Sequence, residues 1–442
     1  MDDYRAIADV IAAQIADGTL RPGDRLPPQR GFARRHRIAA STASRVYSEL
    51  TRRGLTVGEV GRGTFVRSAS PPPEPALAEP ARARIDLELN FPVLPEQPTL
   101  LARSLEPLLR PDILAGALAP IGVTGTPGAR DAAARLLTRD GWAPEPDRIL
   151  FAGSGRQAIA AAVAALVPVG ERLGVEAITY PVLKGIAARL GITLVPIPMD
   201  GEGVDPAELR RRGSALRAVY LQPALHNPLG VTMSARRRSE VARVLTDLDL
   251  TAIEDLIYGF LHDEPVLAGL APQHTVLVDS LSKRSAPGLS VGVLAAPVAL
   301  IDPVASTLRS GTWSAPRFAL EAASRLITDG TLATIGLAKR RDARARQELV
   351  RDRLAGFAVR ADPRAYHCWW ELPDPWRADM FVAAAARHGI AVTPGAAFAV
   401  STANAPNAVR LALASPPLDA LADALDLLAH LARRTPEDTG VD

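Results

Sequence analysis

Lys283 lies in Ser280-Leu281-Ser282-Lys283-Arg284-Ser285 and is one of only three lysines, with Lys184 and Lys339, against 48 arginines. Arginine serves as the cation almost everywhere in this chain, so a retained lysine points to chemistry that a guanidinium cannot perform. The foremost such reaction is attack of a neutral amine on an aldehyde to give an imine. Two motifs precede the lysine at domain-scale spacing, His226-Asn227-Pro228-Leu229-Gly230 and Glu254-Asp255-Leu256-Ile257-Tyr258. Asn227 sits in a turn bounded by Pro and Gly, where its amide can meet a phenolic oxygen. Asp255 ends an apolar run and offers a carboxylate that can keep a ring nitrogen protonated. Tyr258, three residues on, can donate to the same oxygen as Asn227.

Further upstream, Gly153-Ser154-Gly155-Arg156-Gln157 follows a strand-like run and opens a helix, presenting free N–H groups and a positive dipole end to a phosphate. Tyr180 follows another apolar run and can stack on a flat ring. Each feature taken singly is more often structural than functional. Together, a phosphate cup, a stacking ring, a pyridinium carboxylate, two donors to a phenolic oxygen and an imine lysine describe a site for pyridoxal 5'-phosphate.

The elements that must position these groups alternate along the chain from about Ile85. Strand-like runs at Ile149-Leu150-Phe151, Arg172-Leu173-Gly174-Val175, Leu194-Val195-Pro196-Ile197, Ala218-Val219-Tyr220-Leu221, Ala252-Ile253 and Thr275-Val276-Leu277-Val278 are separated by helices rich in Ala, Leu and Arg. This alternation predicts an α/β body with a largely parallel sheet whose ligands bind at the strand ends.

At 442 residues the chain exceeds one ordinary core, and 48% hydrophobic with 22% charged residues fits globular units. A single cysteine, Cys368, excludes an intramolecular disulfide and fits a reducing compartment. No run is long and apolar enough for a membrane span, and the acidic start Met1-Asp2-Asp3 lacks the form of a signal peptide. The expected location is the cytoplasm, with no membrane partner and no metal site.

The net charge of +3 is unevenly divided. Residues 1–67 hold 12 arginines against 7 acidic residues, and the remainder is close to neutral. A basic module on a neutral body points to a polyanionic partner for that module. Its apolar spacing at Ile7, Val10, Ile11 and Ile15, with Gly18 as a stop, predicts a first helix. Gln29 to about His36 and about Ala40 to Arg53 predict two more, with Val46 and Leu50 inward. Leu55 to Val66 reads as two short strands joined by Gly61-Arg62-Gly63. Three helices and a hairpin form a winged helix-turn-helix, whose third helix enters the major groove of double-stranded DNA. Arg30, Ser41, Thr42, Ser44, Arg45 and the hairpin Arg62 are the candidate contacts to phosphates and base edges. A protein-docking module with a basic face is the alternative.

Residues 68–88 form a linker rich in proline, including Pro71-Pro72-Pro73, Pro75 and Pro80, whose composition favours an extended spacer. The expected organisation is therefore a DNA-binding domain over 1–67, the linker over 68–88 and an effector domain over 89–442.

The N-terminal module resembles the GntR-type DNA-binding domains through Gly18-Thr19-Leu20-Arg21-Pro22-Gly23-Asp24-Arg25-Leu26-Pro27, Val46-Tyr47-Ser48-Glu49-Leu50 and Gly61-Arg62-Gly63-Thr64-Phe65-Val66. Ala39-Ala40 replaces the usual Ser-Arg at the start of the recognition helix, removing a cap and a common DNA contact. The region from about 90 to 432 resembles the fold-type-I aminotransferases through Gly125-Thr126-Pro127-Gly128, the motifs above and Val392-Thr393-Pro394-Gly395. That resemblance implies Gly155, Arg156, Tyr180, Asn227, Asp255, Tyr258, Ser280, Ser282 and Lys283 as cofactor contacts. It also implies Arg410 as the bidentate partner of an effector carboxylate, against its alternative as a surface cation. Two positions depart from the aminotransferase pattern: Ser290 stands where an arginine usually binds the cofactor phosphate, and Pro120 stands where a tyrosine usually reaches it from a partner subunit.

Both modules in this order resemble the MocR-type regulators. The resemblance implies a homodimeric transcription factor that binds an operator and senses pyridoxal phosphate, or an amine or amino-acid effector, by aldimine exchange at Lys283. Steady enzymatic turnover is not expected, although half-transamination is chemically accessible. A working aminotransferase with a DNA-targeting domain and a regulator with a vestigial cofactor site are the alternatives.

Overall fold

The computed structural model describes residues 4–16, 19–20, 23–52, 55–59, 63–66, 83–139, 141–401 and 405–436. Gly18, Arg53, Gly54, Gly61, Arg62 and most of the expected linker lie outside the described residues.

The N-terminal module contains helices Tyr4–Ala16, Gln29–His36 and Ala40–Arg52, followed by the antiparallel strands Thr56–Glu59 and Gly63–Val66. Its core gathers Ala8, Ile11, Phe32, Val46 and Leu50 at 6% exposure or less. Full burial of Val46 and Leu50 contributes roughly 1.5–3 kcal/mol each. Val10 departs from the expected pattern and is exposed. In a helix of 3.6 residues per turn, the buried stripe through Ala8 and Ile11 leaves position 10 on the outer face. The hairpin closes back on the turn before the second helix, with Leu26 N–H donating to Thr64 O and Val66 N–H to Asp24 O. The module also touches the C-terminal part of the chain. The Arg377 guanidinium stacks 4.3 Å from the centre of the Phe65 ring.

The body is built on a seven-stranded sheet. In spatial order its strands are Ile149–Ala152, Gly292–Ala295, Thr275–Ser280, Thr251–Asp255, Ala218–Leu221, Arg172–Glu176 and Thr193–Ile197. Only Gly292–Ala295 runs antiparallel to its neighbours. The central strands are buried almost throughout, as befits a parallel sheet covered by helices on both faces. Gly155–Leu166 packs on one side and Pro127–Leu137 on the other.

A second sheet has five strands in the spatial order Ala358–Ala361, His367–Glu371, Ala408–Ala412, Ile390–Pro394 and Ile85–Leu87. It packs on helices Ala378–Arg387 and Leu418–Arg433 through Trp370, Phe381, Leu425 and Leu428. Its edge strand, Ile85–Leu87, falls within the range read from sequence as linker, yet it pairs in parallel with Ile390–Val392. Three residues are too few for a periodic signal, and only the partner strand gives them a register. The helix Thr331–Arg353 carries the fully buried Lys339.

Candidate functional site

The carboxyl ends of the parallel strands open onto a cavity of about 340 Å³. Ser154, Gly155 and Arg156 line it at the amino end of the helix Gly155–Leu166. Ser154 caps that helix by accepting from Gln157 N–H at 3.3 Å. A Cβ on Gly155 would come within 2.9 Å of Ser280 Cβ, so glycine is what lets the helix end approach the neighbouring strand end. Ser282 and Ser290 complete a hydroxyl-lined corner, and Tyr180, Asn227, Asp255 and Lys283 stand on the same cavity.

Asp255 is buried at the end of its strand. Its carboxylate accepts from the Tyr220 hydroxyl, from Gln222 Nε2 at 3.0 Å and from the Ile257 N–H at 2.9 Å. Burial pushes its pKa up; these donors and the Lys283 charge oppose that shift. Gln222 also accepts from the Asn227 N–H at 3.1 Å, tying the two predicted ligand residues together.

Lys283 lies on the short helix Leu281–Arg284, and its Nζ donates to the Tyr258 hydroxyl at 2.8 Å. Tyr258 is itself buried and meets the cavity through this contact instead of lining it. Ser280 likewise stays out of the lining. It is fully buried, and its Oγ accepts from the Ser282 N–H at 3.1 Å, capping the helix that carries the lysine. The other two lysines are committed to the backbone. Lys184 donates to Ala397 O and Ala399 O, and Lys339 to Lys283 O, Arg284 O and Ser285 O.

Arg410 lines a smaller adjoining cavity together with Thr393, Phe398 and Arg156. It is buried, and its Nη2 donates to Glu88 O at 2.6 Å and Thr393 Oγ1 at 2.9 Å. It is therefore a buried cation facing ligand space, not a surface one.

Two guanidinium groups stand near the hydroxyl corner that holds Ser290, in different settings. Arg284 is held in a buried pair with Asp279 through Nε at 2.9 Å and Nη2 at 2.5 Å, turned to that carboxylate. Arg156 lines both cavities, its Nε reaching the Tyr180 hydroxyl at 3.4 Å.

In the N-terminal module, Ser41 and Arg45 are exposed on the third helix, Thr42 and Ser44 are half-buried, and Arg30 is exposed on the second. Arg45 stacks 4.1 Å from the centre of the Tyr4 ring, which holds its guanidinium against the first helix. Arg62 lies outside the described residues.

Sequence reasoning missed Asn90, Tyr220, Gln222 and Lys339. Tyr220 stands within an apolar strand and Gln222 just beyond its end, with no motif around them. Lys339 carried only the signal of lysine scarcity. Asn90 belonged to a segment with no periodicity. Among the described residues, no helix is long and apolar enough to cross a membrane, and no group of three or more His, Cys, Asp or Glu could hold a metal ion.

Comparison with known proteins matches residues 3–66 to the family "Bacterial regulatory proteins, gntR family" and residues 120–428 to "Aminotransferase class I and II". The HTH-type transcriptional regulator YdeF of Bacillus subtilis is 31% identical over 97% of this chain and 94% of its own length. The vitamin B6 salvage pathway transcriptional repressor PtsJ of Salmonella typhimurium is 27% identical over 89% of this chain and 91% of its own. Among solved structures, the α-aminoadipate aminotransferase LysN of Thermus thermophilus, complexed with N-(5'-phosphopyridoxyl)-L-leucine, superposes with a TM-score of 0.71. It is 21% identical and covers 79% of this chain and 92% of its own, a likeness of fold.

Proposed function

The chain belongs to the aminotransferase class I and II family and carries a gntR-family domain ahead of it, and we propose that it is a transcriptional regulator that holds pyridoxal phosphate at Lys283. On this reading it binds operator DNA as a homodimer in the cytoplasm and responds to the cofactor, or to an amine or amino acid, without steady turnover. The observation that carries it is the convergence of Asp255, Asn227 and Lys283 on one cavity in a chain that also holds a winged helix.

The residues fit the group. A buried carboxylate already held by three donors suits a protonated ring nitrogen. Asn227 lines the cavity, and its Oδ1 is buried with no partner among the described residues, an acceptor that a donor group of a ligand would complete. Ser154, Ser282 and Ser290 with the helix N–H groups offer donors to a phosphate, and Arg156 is the cation best placed to replace the family arginine missing at 290. Pyridoxal phosphate, when bound, supplies an aldehyde carbonyl for which the Lys283 amine and an effector amine compete. Tyr258 orients the Lys283 amine, Tyr180 offers a ring face, and Arg410 receives an effector carboxylate in bidentate form. A ligand shifts DNA binding only by as much as it prefers one arrangement of the body over another.

An absorbance titration with pyridoxal phosphate tests the reading. Wild type is expected to acquire the visible band of a lysine-bound cofactor, and Lys283→Ala is not. A wild type that stays colourless overturns cofactor binding. Sustained conversion of an amino donor and a keto acid overturns the regulator-only reading.

A further inference from the structure

The segment that leaves the linker also forms a wall of the ligand site. After the strand Ile85–Leu87, whose Ile85 N–H donates to Gly389 O at 2.9 Å, the next residues turn across the cavity. Glu88 O accepts from Arg410, Leu89 O accepts from Ser415 Oγ at 2.7 Å, and Leu89 and Phe91 line the cavity. Between them, Asn90 is 5% exposed and donates from Nδ2 to the Tyr258 hydroxyl at 2.9 Å. Its Oδ1 is buried with no partner among the described residues, and Asn90 lines the smaller cavity beside Arg410.

The Tyr258 oxygen thus accepts from two donors at once, Asn90 Nδ2 and Lys283 Nζ. A phenol oxygen has two lone pairs and one proton. With both lone pairs engaged, the proton is left for a third partner, and its direction is set jointly by Asn90 and Lys283. Any change at the Lys283 amine therefore changes what Tyr258 offers to Asn90. A carboxylate arriving at Arg410 competes with Glu88 O in a charge-assisted bond, which is stronger than one to a neutral carbonyl. Both effects act on the backbone of residues 88–90, directly after the strand Ile85–Leu87 through which the linker enters the body.

We propose that Asn90 is a positioning residue for Tyr258 and the contact through which the state of Lys283 is passed to the linker. The proposal rests on the cofactor reading above. It concerns the coupling, which binding of the cofactor does not by itself establish.

The full chain carries its own reporter, because Arg84 is exposed and directly precedes the paired Ile85. Limited trypsin cleavage after Arg84 reads how firmly that strand is docked. Loading wild type with pyridoxal phosphate is expected to change the cleavage rate by about threefold or more, as local opening energies of this order allow. Asn90→Ala acquires the lysine-bound absorbance, but its cleavage rate does not respond to loading. Tyr258→Phe raises cleavage of the unloaded protein, and combining it with Asn90→Ala raises it no further, as expected for one shared contact. Asn90→Asp adds a negative charge beside the Lys283 amine and raises the pH midpoint of the absorbance, a readout that loss of packing alone would not move.

A full response to loading in Asn90→Ala overturns the proposal and leaves the cofactor reading intact. So does a wild type that acquires the band without any change in cleavage. If both Asn90 variants fail to acquire the band, Asn90 serves the fold instead and the proposal falls. A wild type that acquires no band takes down both.

Discussion

The Nζ of Lys339 lies 2.8 Å from the carbonyl oxygen of Lys283. The same ammonium donates to Arg284 O at 3.1 Å and Ser285 O at 2.7 Å, so one buried side chain satisfies the carbonyls at the end of the short helix that presents the reactive amine. Helix ends leave such carbonyls orphaned unless something caps them. Lys339→Met is expected to destabilise the chain by about 2–4 kcal/mol, because it removes the donor to Lys283 O and Arg284 O, while Ser285 O keeps Gln97 Nε2 at 2.9 Å. It should also weaken pyridoxal phosphate binding through a mobile Lys283. Urea unfolding and the absorbance titration check the two effects, and an unchanged midpoint in both would refute this role.

Tyr220 and Gln222 should act on the cofactor through Asp255. Tyr220→Phe removes a donor from the carboxylate and raises its pKa further. Loss of that donor, worth about 1.4 kcal/mol, weakens the protonated-ring contact about tenfold. Asp255→Ala is expected to weaken it more. Equal affinities for wild type and Tyr220→Phe would show that the hydroxyl does not tune the carboxylate.

Acid should destabilise this protein through two buried histidines. Burial pushes His262 and His367 down to about 3, aided by the cations Arg139 and Arg410 respectively. Below about pH 6.5 the unfolded chain takes up these protons, whereas the folded chain resists until about pH 3. Stability therefore falls as pH drops through this window, by about 1.4 kcal/mol per pH unit for each histidine. His367→Gln keeps a donor for His226 O, which now accepts from His367 Nε2 at 3.0 Å. It should make the dependence shallower by that amount between pH 4 and 6. Denaturant unfolding across that range measures the slope.

DNA affinity should depend on salt through the exposed cations of the N-terminal module. Arg30→Ala and Arg45→Ala are each expected to reduce the slope of log affinity against log salt by about 0.9, the contribution of one phosphate contact. Ser41→Ala should change the preferred sequence more than the slope. Fluorescence anisotropy with selected DNA duplexes at several salt concentrations separates the two effects. Unchanged slopes would place the phosphate contacts elsewhere.

Much of the site was legible because its groups sit where strands end. Asp255, Asn227, Tyr180 and Lys283 each follow an apolar run, and the parallel sheet brings all such ends to one edge. The parts that were not legible depend on partners distant in sequence. Asn90 meets Tyr258 across 168 residues, and Lys339 meets Lys283 across 56. No local pattern encodes such a meeting. The Arg284–Asp279 pair shows the reverse case, in which two charges five residues apart settle each other, and Arg284 stays outside the cavity lining. The fold followed the same division: long periodic helices and buried strands were readable, whereas Ile85–Leu87 was not.

The commitment of Lys184 and Lys339 to backbone carbonyls has a consequence for labelling. Aldehydes in solution decorate exposed lysines indiscriminately, and arginine does not form stable imines with them. Here Lys184 and Lys339 are engaged with two and three carbonyls, and the remaining surface cations are guanidinium groups. Lys283, by contrast, faces the ligand cavity. The arginine-rich surface therefore works as chemical insulation. Aldehyde taken up per chain becomes a direct count of occupied pockets, with little background to subtract.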